Sequence, residues 1–281
     1  MMKKLVRTGL GLLFSSSIAL IAYRRRSLSR SGVIGAIITG TTTTGIGGWD
    51  WGLTLFFFFV SSSLLSHFRE QEKEQTAADK FSKGSQRDIG QVAANGGIAT
   101  VLAFGYGLVS SPALCQLLEA GYVGSLATAN ADTWATELGV LSAQPPRLIT
   151  TGQRVAPGTS GGITLFGTTA AALGAGALGL FSWLLHHDRK RQMSLPLLAL
   201  LSGLAGSLCD SLLGATVQTI YLCPTCHKET ERRVHNCGTP TTLLRGLPWL
   251  NNDGVNFFAT LSGALIAMMI ETFFSHQRDS G

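Results

Sequence analysis

The feature that most restricts how this chain can fold is a succession of apolar segments close to the length that crosses a bilayer, about 17–25 residues. Eight such segments lie at approximately 8–23, 32–47, 51–66, 92–110, 113–131, 161–185, 195–222 and 255–275. A backbone in hydrocarbon must satisfy its own N–H and C=O groups, so the segments form either helices or a closed barrel. The runs FFFFV at 56–60 and AAALGAGALGLF at 170–181 are apolar all round and lack the period of two that barrel strands require. The predicted fold is therefore all-α, a polytopic transmembrane helical bundle of about seven or eight spans. Only 14% of the residues are charged, against roughly 25% in soluble proteins. The 34 glycines suit membrane helices whose backbones approach closely.

The first segment resembles a secretory signal, with Lys3, Lys4 and Arg7 ahead of an apolar run, but it ends in Arg24, Arg25 and Arg26 rather than a small-residue cleavage site. It reads as a retained span. The chain thus divides into an N-terminal span with its basic loop (1–30) and a main transmembrane domain (31–281) that carries a Cys/His loop at 223–238. Counting Lys and Arg on alternate sides places fifteen on the face formed by segments 24–31, 67–91, 132–160 and 223–254, and seven on the other. Positive residues collect on the cytoplasmic side, so the N-terminus is expected outside. The net charge of +6 is then a topological signal and a contact surface for membrane lipids. It does not indicate nucleic acid binding, because the basic residues are scattered over loops and form no face interleaved with aromatics.

With that orientation, the polar clusters all open toward the cytoplasm. In ATANADTWATELG at 127–139, Asp132 and Glu137 interrupt an apolar run, where carboxylates are costly and usually line a cavity or a polar mouth. On a helix, Thr133 and Glu137 share a side with Asp132 adjacent, and with Asn130 they make a plausible Mg²⁺ donor set, since that ion takes oxygen ligands. The competing reading puts both carboxylates in an exposed loop. Trp134 reads as an interfacial anchor.

A second cluster, Lys83, Arg87, Asp88, Gln91 and Asn95, opens the fourth segment. Its basic pair fits either phosphate contact or a topology anchor, and the mixed-charge stretch 69–80 before it reads as a solvated helix or loop. The turn PGTSGG at 157–162 carries Thr159, Ser160, Gly161 and Gly162 ahead of the sixth segment. Such a turn feeding a helix N-terminus can present backbone N–H groups to phosphate, although a Pro-Gly turn with a Ser or Thr cap explains it nearly as well. Asp210, within GSLCDSLLGATVQ, is expected to face the bundle interior, where it pairs with a base, coordinates a cation, relays a proton, or makes an interhelical hydrogen bond in its protonated form. Asn251, Asn252 and Asp253, with Asn256, stand at the mouth of the last span.

Three of the five cysteines fall in CPTCHKETERRVHNCG. Cys223 and Cys226 have the C-x2-C spacing of a zinc knuckle, and His235 with Cys237 completes a tetrahedral set for a structural Zn²⁺ ion. A disulfide is the competing reading, disfavoured if the loop is cytoplasmic. Cys115 and Cys209 read as small packing residues.

The strings ANADTWATELGVLS at 129–142, PRLITTGQRVAPGTSGG after it, DSLLGATVQ at 210–218 and NNDGVNFFAT at 251–260 resemble the integral-membrane family that includes transmembrane protein 19 and the plant and cyanobacterial phytyl-phosphate kinases. The resemblance runs from about residue 31 to the last span. It implies phosphoryl transfer from a nucleoside triphosphate, with Mg²⁺, to an isoprenoid monophosphate. Within that implied activity the residues suggest roles. Asp132, Glu137 and Asp253 would hold Mg²⁺, and Asp210 would orient a ligand from below. The 159–162 backbone would cradle phosphate, with Asn95, Asn130 and Asn252 nearby, and Arg87 or Lys83 would neutralise developing charge. Two rival readings remain: a lipid or small-molecule transporter, and a noncatalytic membrane scaffold.

Overall fold

The computed structural model describes residues 2–77, 86–186 and 194–279, so Lys83 lies outside the described residues. The chain is helical almost throughout. Helix α1 (Met2–Arg24) turns into α2 (Arg30–Thr42), which runs on as a π-helical turn at Thr43–Gly47. Then follow α3 (Trp49–His67), the short α4 (Glu70–Ala77), α5 (Ile89–Tyr106) and α6 (Pro112–Gly139). The strands β1 (Arg147–Leu148) and β2 (Gly162–Ile163) close a loop before α7 (Leu165–Leu185) and α8 (Leu195–Thr216). Strands β3 (Ile220–Leu222), β4 (Glu229–Thr230) and β5 (Thr242–Arg245) form a small antiparallel sheet in the order β4-β3-β5, ahead of α9 (Asn252–Asp279).

Each apolar segment read from the sequence coincides with a helix, with three boundary corrections. The segment 92–110 is helical only to Tyr106. The segment 195–222 is helical only to Thr216, because its end is drawn into β3. The segment beginning at 161 becomes helical only at Leu165, where Thr164 caps α7 by accepting a hydrogen bond from Gly167 N. Among the described residues, four helices, Lys4–Arg24, Leu165–Leu185, Leu195–Thr216 and Asn252–His276, are by themselves long and apolar enough to cross a membrane.

Helix α6 is the axis of the bundle, packed by α5, α7, α8, α9 and α3. Every residue from Glu119 to Ala131 is buried. A helix surrounded by protein need not be uniformly apolar, which is why α6 tolerates Ser125, Thr128 and Asn130 at its centre. Between helices in lipid the hydrophobic effect supplies little, and close packing with interhelical hydrogen bonds holds the bundle together. Thr128 shows both. Its hydroxyl donates to Gly124 O (2.9 Å) and lies 3.3 Å from Ser202 O, and a Cβ on either Gly206 or Gly263 would overlap it. Asn130 belongs to the same framework. It accepts from Ser61 (2.8 Å) and donates to Gly174 O (2.8 Å), tying α6 to α3 and α7.

Helices α1 and α2 pack on this bundle through Ala19, Ala22 and Leu28 against Phe59 and Val92. Arg7 reaches from α1 to the carbonyls of Gly45 and Ile46, at 3.0 and 2.9 Å, where the π-helical turn leaves carbonyl groups for it.

Candidate functional site

The C-terminal ends of α3, α6 and α8 and the N-terminal ends of α5, α7 and α9 meet around one cavity of about 470 Å³. The three N-terminal ends turn positive helix dipoles toward it. Each is capped by a side chain: Asp88 by a reciprocal exchange with Gln91 on α5, Thr164 on α7, and Asn251, whose Oδ1 accepts from Gly254 N (3.0 Å), on α9.

Asp132 and Glu137 are on α6, not in a loop, and both line this cavity. Asp132 faces α8, with Ser207 Oγ at 3.5 Å from its carboxylate. Asp210, one turn further along α8, also lines the cavity and lies within electrostatic reach of Asp132 and Glu231. Among the described residues, its buried Oδ2 has no hydrogen-bond partner. Such an orphaned acceptor calls for a proton, a water or a cation.

Glu137 is already engaged. Its Oε2 is 2.5 Å from the Lys73 ammonium, and Ser66 donates to its Oε1 at 2.7 Å. Lys73 also donates to the carbonyls of Leu65 and Ser66, at 2.7 and 3.0 Å, capping the end of α3. It is only 9% exposed, the exception in a stretch whose Arg69, Gln71, Glu72, Gln75 and Thr76 are exposed, as expected of a solvated helix. Arg87 donates to Ser63 (2.9 Å), lies 3.4 Å from Ser66 Oγ, and stands 5.9 Å from the centre of the Phe59 ring. Its backbone is pinned to the α1–α2 turn by Arg87 N to Ser27 O and Ser29 N to Arg87 O, both 3.0 Å.

The turn at 157–162 faces the cavity with Thr159, Ser160, Gly161 and Gly162. It does not run straight into α7, since β2 intervenes. Its own hydrogen bonds use the N–H groups of Thr159 (to Ala156 O) and Gly162 (to Thr159 O), leaving Ser160 and Gly161 as its candidate anion donors. Gly161 has φ +81° and packs so tightly on α8 that a Cβ would overlap Ala215. Only glycine meets both demands.

Asn95 and Asn252 line the cavity, whereas Asn130 is spent on the bundle framework and Asp253 is not among the lining residues. Trp134 packs its ring against Gly174 of α7, and among the described residues its buried Nε1 has no partner, so it is a packing residue rather than an interfacial anchor. Sequence reasoning passed over Lys73, Ser207, Glu231 and Arg232, all of which line the cavity, as does Gln218. Glu231 accepts from Gln218 Nε2 at 2.8 Å, and Ser160 Oγ is 3.5 Å away. The available signal was a carboxylate placed between two pairs of Cys/His residues.

A second, apolar crevice of about 80 Å³ runs between α1, α2, α3 and α5, walled by Phe14, Ile18, Leu55, Phe56, Phe58 and Phe59. It shares Arg87, Gln91 and Asn95 with the polar cavity. On the same side as the cavity, Cys223, Cys226, His235 and Cys237 bring one ligand atom each to within 4.8 Å of one another. Hydrogen bonds with Thr239 and His235 pull the Cys237 thiol down to about 6.

A membrane-embedded helical bundle with one polar cavity at one end is a multi-pass integral membrane protein of the class the sequence predicts. More particularly, residues 13–264 match the family model described as integral membrane protein DUF92, and the chain belongs to that family. It is 36% identical to Protein PGR of Arabidopsis thaliana, over 93% of this chain and 95% of that one. It is 32% identical to an uncharacterized membrane protein of Methanocaldococcus jannaschii, over 96% of each. It is also similar to Protein VTE6, chloroplastic, of Arabidopsis thaliana, with 28% identity over 88% of this chain and 66% of that one. No solved structure matches.

Proposed function

We propose that this protein is a kinase of isoprenoid monophosphates, moving a phosphoryl group from a nucleoside triphosphate to the lipid phosphate to give the diphosphate. The observation that carries this reading is the junction at Arg87, Gln91 and Asn95, where an apolar crevice among the helices meets a polar cavity at their ends. An amphipathic phosphate ester has that shape: its chain lies along the phenylalanines and its head stands beside Arg87. The resemblance to the phytyl-phosphate kinases, and the similarity to VTE6, support the same class. The basic-residue count supports a cytoplasmic position for the cavity, where nucleoside triphosphates are found.

Phosphoryl transfer needs positioning and charge neutralisation more than covalent help from the protein. An oxygen of the prenyl phosphate attacks the γ-phosphorus, and the bond from that phosphorus to the β,γ-bridging oxygen breaks, releasing a nucleoside diphosphate. Arg87 holds the acceptor phosphate. The Ser160 and Gly161 amides, with the N-terminus of α7, hold the nucleotide phosphates. Asp132 and the orphaned Asp210 oxygen suit Mg²⁺, which binds through one or two carboxylates plus substrate phosphates and when present neutralises phosphate charge. Glu137 serves as Lys73's partner, and Asp253 has no part in this assignment.

The test uses detergent-purified protein, prenyl monophosphates of several lengths, Mg²⁺ and each nucleoside triphosphate, with product read by mass spectrometry. Diphosphate is expected from the wild type and not from Asp132→Asn. A monodisperse sample that binds prenyl phosphate yet makes no diphosphate with any pair overturns the kinase reading in favour of lipid transport.

A further inference from the structure

The sheet β4-β3-β5 has strands of two, three and four residues. A three-stranded sheet that short cannot build a core of its own and needs a staple. We propose that Cys223, Cys226, His235 and Cys237 bind a structural Zn²⁺ ion, and that this ion holds the Glu231–Arg232 turn at the mouth of the cavity.

The four side chains converge on one point. Cys223 and Cys237 sulfurs are 3.6 Å apart, and His235 Nδ1 is 3.1 Å from Cys237 Sγ. A tetrahedral zinc with bonds of about 2.3 Å to sulfur has S···S edges close to 3.8 Å, so a cluster whose four ligand atoms lie within 4.8 Å of one another closes on the ion with shifts of about 1 Å or less. A disulfide would use two of the sulfurs and leave the third, with His235, unexplained. The backbone is shaped for ligation at both arms. In the first, Cys226 N–H points to Cys223 Sγ (3.5 Å), His227 N–H donates to Cys223 O (2.9 Å), and His227 takes φ +52°. In the second, Gly238 at φ +83° donates to His235 O (2.9 Å), and His235 N–H donates to Thr239 O (3.0 Å). Thiolate and imidazole in a tetrahedral arrangement select zinc, and four protein ligands leave no open position for catalysis.

The functional consequence comes from what lies between the two arms. Residues 227–234 carry β4 and then Glu231 and Arg232, which line the cavity, with Glu231 fastened to Gln218 beyond the end of α8. Pinning both ends of this loop fixes where that carboxylate stands. The site is structural and independent of the reaction proposed above.

Metal content of the full chain, purified in detergent under reducing conditions, tests the site directly. Plasma mass spectrometry is expected to find one zinc per chain, retained in the Cys115→Ser/Cys209→Ser variant and lost in Cys226→Ser. Exchange for Co²⁺ is expected to give the visible ligand-field bands of a tetrahedral thiolate site, which does not depend on any variant folding. Chelation is expected to speed trypsin cleavage after Arg232 and Arg233 at least tenfold. Metal-free protein with freely reactive thiols, a Cys223–Cys237 disulfide, or zinc that persists in Cys226→Ser overturns the site. Cleavage indifferent to chelation in zinc-loaded protein overturns its role in holding the turn.

Discussion

At Lys73 and Glu137 a cation and an anion meet with side-chain exposures of 10% and 23% and a separation of 2.5 Å. Removing one partner of such a pair leaves the other charge desolvated without compensation, at a cost of roughly 3 kcal/mol for a site of this partial exposure. Lys73→Met is therefore expected to lower the melting temperature of the detergent-purified protein clearly, and Lys73→Met/Glu137→Gln to recover part of the loss. A double variant no better than the single one would mean that Lys73 acts mainly through the α3 carbonyls. Arg87 makes a contrasting prediction: Arg87→Ala is expected to raise KM for prenyl phosphate at least tenfold, whereas a change confined to kcat would move Arg87 from binding to the reacting atoms. The sequence marked Asp132 and Asp210 because an ionisable group amid apolar neighbours is costly wherever it stands, and Arg87 as one of a basic pair at the mouth of a span. Lys73 escaped notice because its neighbours along the chain are charged, and its burial comes from Glu137, 64 positions away.

Among the elements, the turn before α7 offers the cleanest dissection. Gly161 combines φ +81° with contact against Ala215, while Gly152 has φ +69° and open space around it. A non-glycine residue in left-handed backbone costs about 1–2 kcal/mol. Gly152→Ala should cost only that, with phosphotransfer intact, and Gly161→Ala should also push the turn off α8 and weaken nucleotide binding at least tenfold. Equal effects in both, measured by thermal unfolding and KM for the nucleotide, would show that strain alone matters. The sequence revealed this turn as Pro-Gly followed by Gly-Gly, but not that β2 separates it from the helix. A two-residue strand exists only because Arg147 and Leu148 stand opposite Ile163 and Gly162. The end of α8 is a similar case. Apolar composition carries on to residue 222, yet Arg245 caps the carbonyls of Gly214 and Ala215, at 2.9 and 3.0 Å, and ends the helix near Thr216.

For the whole molecule, the expected outcome is sidedness. Exposed Gln144, in the loop after α6, and exposed Ser110, in the loop before it, lie at opposite ends of that helix. In sealed vesicles, an impermeant maleimide applied to the cytoplasmic face is expected to modify Gln144→Cys and spare Ser110→Cys, as read by peptide mapping. Labelling of both from one face would sink the arrangement, and the reverse pattern would place the cavity outside. The sequence by itself determined that this is a helical membrane protein with glycine-mediated packing, because segment length, absence of period two and scarcity of charge are local properties that hydrocarbon enforces. It also grouped the polar clusters on one side, since alternate loops of a multi-pass chain must share a face. Only the tertiary structure decided which polar residues serve the framework, as Asn130 does, and which stand in the cavity, as Asp210 and Glu231 do. Only it joined an apolar crevice to that cavity at Arg87. Those assignments depend on distances between residues far apart in the chain, which packing around α6 sets and no local pattern encodes.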